Sequence, residues 1–139
     1  MAYKKNDTPI EDEECKVFHR WLEEQNIPHA HIANESRSGG RSAEDRRNAV
    51  IRGRKLKEMG QSAGYWDYDI YLHVVGISGE VDCYQLVKIE MKRQKGGTVS
   101  ADQKKWGEIY EKSGIPCAVC KGAEAAKAQV LAWLDEMHQ

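Results

Sequence analysis

Two β-prone runs, residues 68–75 and 81–93, constrain this chain more than any other feature. The first reads Tyr-Asp-Ile-Tyr-Leu-His-Val-Val and the second contains Leu-Val-Lys-Ile-Glu-Met-Lys-Arg, with Gly76-Ile-Ser-Gly79 between them. Two such runs across a glycine-bounded turn predict an antiparallel hairpin. Side chains two apart on a strand share a face, so Glu90 and Lys92 stand together while Val87, Ile89 and Met91 point into a core. Pairing brings Glu90 near Asp67, at the mouth of the first run. Asp69 shares that face, and spacing alone does not choose between the two acids. Two carboxylates that can grip a divalent cation, with an ammonium beside them, suit metal-assisted cleavage of a phosphodiester.

A length of 139 residues fits a single domain over 1–139 with one sizeable core. No run approaches the roughly 20 apolar residues of a membrane span. The N-terminus, Met-Ala-Tyr-Lys-Lys-Asn-Asp, lacks the apolar centre of a signal peptide, so a cytoplasmic protein is expected. In that reducing compartment Cys15, Cys83, Cys117 and Cys120 are expected as thiols. A net charge of -1 argues nothing about nucleic acid, but the distribution is uneven. Residues 37–57 hold eight basic side chains against two acids, among them Arg37, Arg41, Arg46, Arg47, Arg52 and Arg54. A polyanion can use such a patch, and a solvated helix face is the simpler account of it alone.

Taken in order, Thr8-Pro9-Ile10-Glu11 predicts a helix start with a capping box, and Val17, Phe18, Trp21 and Leu22 give that helix a buried face. Glu14, one turn before Phe18, lies at the edge of the buried face, where it can reach into a site or, as the simpler account, suit the helix dipole as a first-turn acid. Residues 29–33 predict a short strand on which His29 and His31 share a face without a third soft ligand, an ordinary pair rather than a metal site. Ser42 caps a helix that runs to about Met59, and Gly60 stops it. Ser100-Ala-Asp-Gln103 is another capping box, opening a helix to Ser113 with Trp106, Ile109 and Tyr110 inward. Residues 115–120 form a strand, and a last helix over 124–137 is anchored by Val130, Leu131, Trp133 and Leu134. Cys117 and Cys120 lie three apart in an apolar strand, so they face opposite ways as buried thiols, not as a zinc pair. The alternation of helices and strands predicts an α/β fold, a central mixed β-sheet flanked by helices.

A Glu-x-Lys pair alone is weak, since any amphipathic strand can carry it as a solvated ion pair. Its company is more specific. The pattern Glu14, Asn34-Glu35, Met59-Gly60, Gly64-Tyr-Trp-Asp67-Tyr-x-Ile70, Ile89-Glu90-Met-Lys92, Gly97-x-x-Ser100-x-x-Gln103-x-x-Trp106 and Gly114 resembles the virus-type replication-repair nuclease domain (VRR-NUC) across nearly the whole chain. That domain is a branch of the PD-(D/E)xK nuclease superfamily, with a restriction-endonuclease-like core, and this chain is similar to its stand-alone phage and bacterial form. The chain departs from the pattern at Trp66, where the family usually has Pro before the acid. Proline there is structural, so the change implies a bulkier wall rather than a lost site.

The resemblance favours Asp67 over Asp69. It implies Asp67 and Glu90 as carboxylate ligands of Mg²⁺ or Mn²⁺, with the Met91 carbonyl as a third oxygen. It further implies that Lys92 orients or helps deprotonate the attacking water and offsets charge on the phosphorane, that Gln103 lines the site and touches substrate or water, and that Glu14 acts through water on the metal or holds a second ion. The implied activity is a metal-dependent, structure-selective DNA endonuclease that cuts Holliday-junction-like branched DNA as a homodimer. A flap, nicking or restriction-type nuclease of the same superfamily is the alternative, and so is a non-catalytic DNA-binding module.

Overall fold

The computed structural model describes residues 10–32, 42–76 and 78–138. In chain order its elements are α1 (Glu11–Glu24), β1 (His29–His31), α2 (Ala43–Glu58), β2 (Tyr68–Val75), β3 (Val81–Lys92), α3 (Ala101–Lys112), β4 (Cys117–Lys121) and α4 (Ala123–Met137). The strands lie side by side in the order β1-β2-β3-β4. Adjacent pairs are antiparallel except β3 and β4, which run parallel because α3 returns the chain across the sheet. This is the mixed sheet with flanking helices that the order of elements predicts.

One face of the sheet carries the core. Tyr68, Ile70 and Leu72 of β2 and Val87, Ile89 and Met91 of β3 pack against Phe18 and Leu22 of α1 and Ala126, Val130 and Trp133 of α4. Each large apolar side chain buried there contributes about 1.5–3 kcal/mol. The buried stripe of α1 is Glu14, Phe18 and Leu22, at four-residue spacing. It is narrower than the sequence suggests. Val17 is exposed, as are Ile109 of α3 and Leu131 of α4, each expected to face inward. The start of α1 also differs: Ile10 is its N-cap with no side-chain hydrogen bond, and four acids fill the first turn. Thr8 and Pro9, the expected cap, lie outside the described residues, as does the end of the strand expected over 29–33.

The opposite face of β3 is buried too. Lys88, Glu90 and Lys92 are all shielded from solvent, so the alternation of the strand holds while its polar side is not solvated. The loop before β2 and α3 cover it. Trp66 and Tyr110 meet edge to face, and the Lys88 ammonium pairs with Asp69 and lies 3.8 Å from the centre of the Tyr65 ring.

Helix α2 is different. Ser42 caps it by accepting a hydrogen bond from the Asp45 backbone N–H, as expected. Only Ala49 on it is buried, and it packs little against the other described elements. Among the described residues no helix is long and apolar enough to cross a membrane.

Candidate active site

The register of the hairpin builds the site. Tyr68 pairs with Ile89 and Asp69 with Lys88, which sets Asp67, one residue before β2, opposite Glu90. The two acids then hold each other's strands. The Asp67 backbone N–H donates to Glu90 Oε2 at 3.1 Å, and the Met91 N–H donates to Asp67 Oδ2 at 2.9 Å. Asp69 is taken up by Lys88 instead, so the geometry separates the two acids that spacing left tied.

Gln103 and Lys92 complete the group. Gln103 Nε2 donates to Glu90 Oε1 at 2.6 Å, and Lys92 Nζ lies 3.4 Å from the same oxygen. The amide of Gln103 does two jobs, because its Oε1 also accepts from the Ser100 N–H at 3.0 Å in a complete capping box. The start of α3 therefore fixes the donor that orients Glu90. Gly97 leaves room for the aliphatic stem of Lys92, since a Cβ there would stand 3.0 Å from Lys92 Cβ.

Burial, and then the charge of Asp67, pushes the Glu90 carboxyl up to about 8, with Lys92 opposing. Burial likewise raises Asp67, against the pull of the Met91 N–H. A buried acid and a half-buried one that cannot both ionise cheaply are a site short of positive charge. Their donors are hard oxygens, which fit Mg²⁺ or Mn²⁺ better than softer metals. Among the described residues no thiol joins this group. Burial raises the Cys15 and Cys120 thiols to about 11, so they are inert core groups. Cys117 is only half-buried, less enclosed than the sequence suggests, Cys83 is exposed, and all four are free.

Glu14 is placed elsewhere than its sequence position alone suggests. It is 4% exposed, far from a solvated first-turn acid. Its carboxylate accepts from the Ala123 N–H at the start of α4 and from Gln94 Nε2 at 2.7 Å. The neighbouring Gly122 N–H bonds the Lys92 carbonyl, so Glu14 sits at the end of β3 but makes no hydrogen bond to Asp67, Glu90 or Lys92 among the described residues. Gln94 was missed by sequence reasoning, because a polar residue in a loop carries no periodic signal. Arg93 Nε is buried with no partner among the described residues.

Among the described residues, α2 packs too sparsely on the other elements to join the basic segment to this group. Arg37 and Arg41 lie outside the described residues, with Asn34 and Glu35. Arg46, Arg47, Arg52 and Arg54 are exposed on α2, and Arg46, Arg47 and Arg54 line a shallow groove with Val50 and Ile51. His29 and His31 do not act as a pair. His31 meets the edge of the Tyr68 ring, whereas His29 turns to His19.

No protein-family model matches this sequence. No curated protein matches it either. Among solved structures, one described as a "VRR_NUC domain protein" superposes with a TM-score of 0.63, covering 90% of this chain and 88% of that chain at 20% identity. The chain thus has the VRR-NUC fold, the α/β core that the residue pattern implied.

Proposed function

We propose that this chain is a Mg²⁺- or Mn²⁺-dependent DNA endonuclease, one nuclease domain over its length, that cuts branched DNA of the Holliday-junction kind as a homodimer. The observation that carries the reading is the buried Glu90 carboxylate interlocked with the half-buried Asp67, with Lys92 beside them. Clustered acids repel a phosphate, so a module that only bound DNA gains nothing from them. They become useful once a cation joins them. Asp67 and Glu90 would hold that cation, with the Met91 carbonyl as a further oxygen, and Glu14 is our candidate for a second, water-mediated contact. The bound ion would supply Lewis-acid activation of water and phosphate.

The side chains do the rest. Glu90 is kept in one orientation by Gln103 and the Asp67 N–H, so its oxygens need little reorganisation. Lys92, a cation 3.4 Å from Glu90, orients the attacking water and offsets charge that builds on the phosphorane. Water attack then leaves 5′-phosphate and 3′-hydroxyl ends. Two symmetric nicks in a junction call for two sites related by a two-fold axis, which favours a dimer. Arg46, Arg47, Arg52 and Arg54, together with Arg37 and Arg41, supply backbone contacts.

The test is cleavage of a four-way junction and a matched linear duplex in Mg²⁺, Mn²⁺ or EDTA. Lys92→Ala is expected to slow metal-dependent cutting by about 10²–10³-fold, the usual cost of one lost charge-stabilising donor. Paired junction nicking supports the full reading. Equal cutting of duplex keeps the nuclease and discards the selectivity, and no metal-dependent cutting of any DNA leaves a binding module.

A further inference from the structure

The far end of α1 carries a second donor cluster, separate from the acids of the hairpin. His19 and Glu23 lie one turn apart on α1, and the chain doubles back through Asn26, at a φ of 55°, to place His29 of β1 against them. One donor atom from each of the three lies within 4.8 Å of the others. Sequence reasoning saw His29 and His31 without a third ligand. The third and second partners come instead from α1, ten and six residues earlier than His29, across a turn whose reversal the pattern does not encode.

The side chain of His29 is 5% exposed, and its Nδ1 lies 2.8 Å from the Ile27 carbonyl. A carbonyl only accepts, so Nδ1 carries a proton, and in the neutral ring Nε2 presents its lone pair to the cluster. That Nε2 stands 2.7 Å from His19 Nδ1 and 3.9 Å from Glu23 Oε1. An imidazole whose other nitrogen is pinned by a backbone carbonyl is pre-oriented as a metal ligand.

We propose that His19, Glu23 and His29 form a zinc site that clamps the last turns of α1 to β1. Two imidazoles and a carboxylate are a zinc donor set, and with Zn–N and Zn–O bonds near 2.0–2.1 Å their donor atoms stand roughly 3.3 Å apart. The two imidazoles open slightly and Glu23 moves in. His19 and Glu23 are exposed on one helix face, so rotamer changes achieve this without backbone movement. Solvent provides the fourth ligand on that open side. Glu14 lies nine residues before Glu23, roughly 13 Å along the helix, so this site does not share donors with the other end of α1. The chain then sorts two metals by donor type, nitrogen-rich here and oxygen-only at Asp67 and Glu90.

The experiment is a zinc titration by calorimetry on the metal-stripped full chain in excess Mg²⁺, which occupies oxygen sites, with thermal unfolding as a second readout. One zinc per chain is expected, with a raised unfolding midpoint. His19→Ala, at an exposed position, is expected to keep the fold, weaken zinc binding at least tenfold and abolish the zinc-dependent rise. Glu23→Ala is expected to weaken binding less. Absence of saturable zinc binding, or binding equally tight in His19→Ala and wild type, overturns the proposal and leaves a histidine–histidine hydrogen bond only.

Discussion

At position 90 a carboxylate is buried to 2% exposure beside a second acid, and the cost of that placement has a pH signature. In the folded chain Glu90 titrates at about 8 against an ordinary 4.5. Below about 4.5 both folded and unfolded chains hold the proton, and the stability is fully present. Between about 4.5 and about 8 the unfolded chain has lost it while the folded chain keeps it, so the unfolded state binds fewer protons and stability falls as pH rises. The unfolding midpoint in EDTA is therefore expected to decline across this window. Glu90→Gln removes the ionisation, and its one carbonyl oxygen can accept from Gln103 while its NH2 then faces the Asp67 N–H, so it is expected to flatten the profile at a lower acid-side midpoint. Mg²⁺ is expected to reverse the decline in wild type and not in the variant. A wild-type midpoint that holds level through the window in EDTA would contradict the assigned burial cost. Stability spent at one residue in this way is a common mark of a functional position.

At the scale of elements, the site depends on how closely α3 approaches the loop before β2. Gly64 has a φ of +77°, and a Cβ there would lie 2.5 Å from both Asp102 C and Asp102 Cβ. Two further ties hold the approach: Trp66 Nε1 donates to the Gln103 carbonyl at 2.8 Å, and Trp106 Nε1 donates to the Ala63 carbonyl at 3.2 Å. Gly64→Ala meets backbone that cannot swing aside, so it is expected to destabilise by about 2–4 kcal/mol, the left-handed penalty and overpacking together. Urea unfolding measures it, and a loss under about 1 kcal/mol would show that the α3 approach is loose. Because Gln103 rides on this helix, the same variant is expected to weaken metal-dependent activity beyond its effect on folding. Part of this was legible beforehand. The capping box of Ser100 and Gln103 is a local pattern, and so is the glycine. The role of Trp66 was not, since its partners Gln103, Gly107 and Tyr110 are more than 35 residues away and no local rule joins them. What the pattern shows as a departure from proline is in the fold a tie between two elements.

Across the whole molecule, legibility follows the range of the interactions. The element order and the hairpin rest on periodicity and turns, and they stand as the spacing predicts. The burial of Lys88, the seat of Glu14 against α4 and the exposure of Val17 and Leu131 depend on which helix covers which face, and one strand's alternation does not carry that information. Helix α2 is the extreme case. Its weak apolar stripe matches its sparse packing, with Val50 and Ile51 exposed and Ala49 alone buried. Such a helix contributes little to folding, so its arginines can be tested without confounding the core. Replacing Arg46, Arg47, Arg52 and Arg54 with Gln is expected to change stability by no more than about 0.5 kcal/mol per site. Each phosphate contact removed lowers the slope of log K against log salt by about 0.9, so the fourfold variant is expected to lose up to about 3–4 units of slope. Junction binding by Lys92→Ala in Mg²⁺, over a series of salt concentrations, measures this without cleavage. A slope that survives the fourfold change would mean that α2 does not face the DNA and that the phosphates are held elsewhere on the chain.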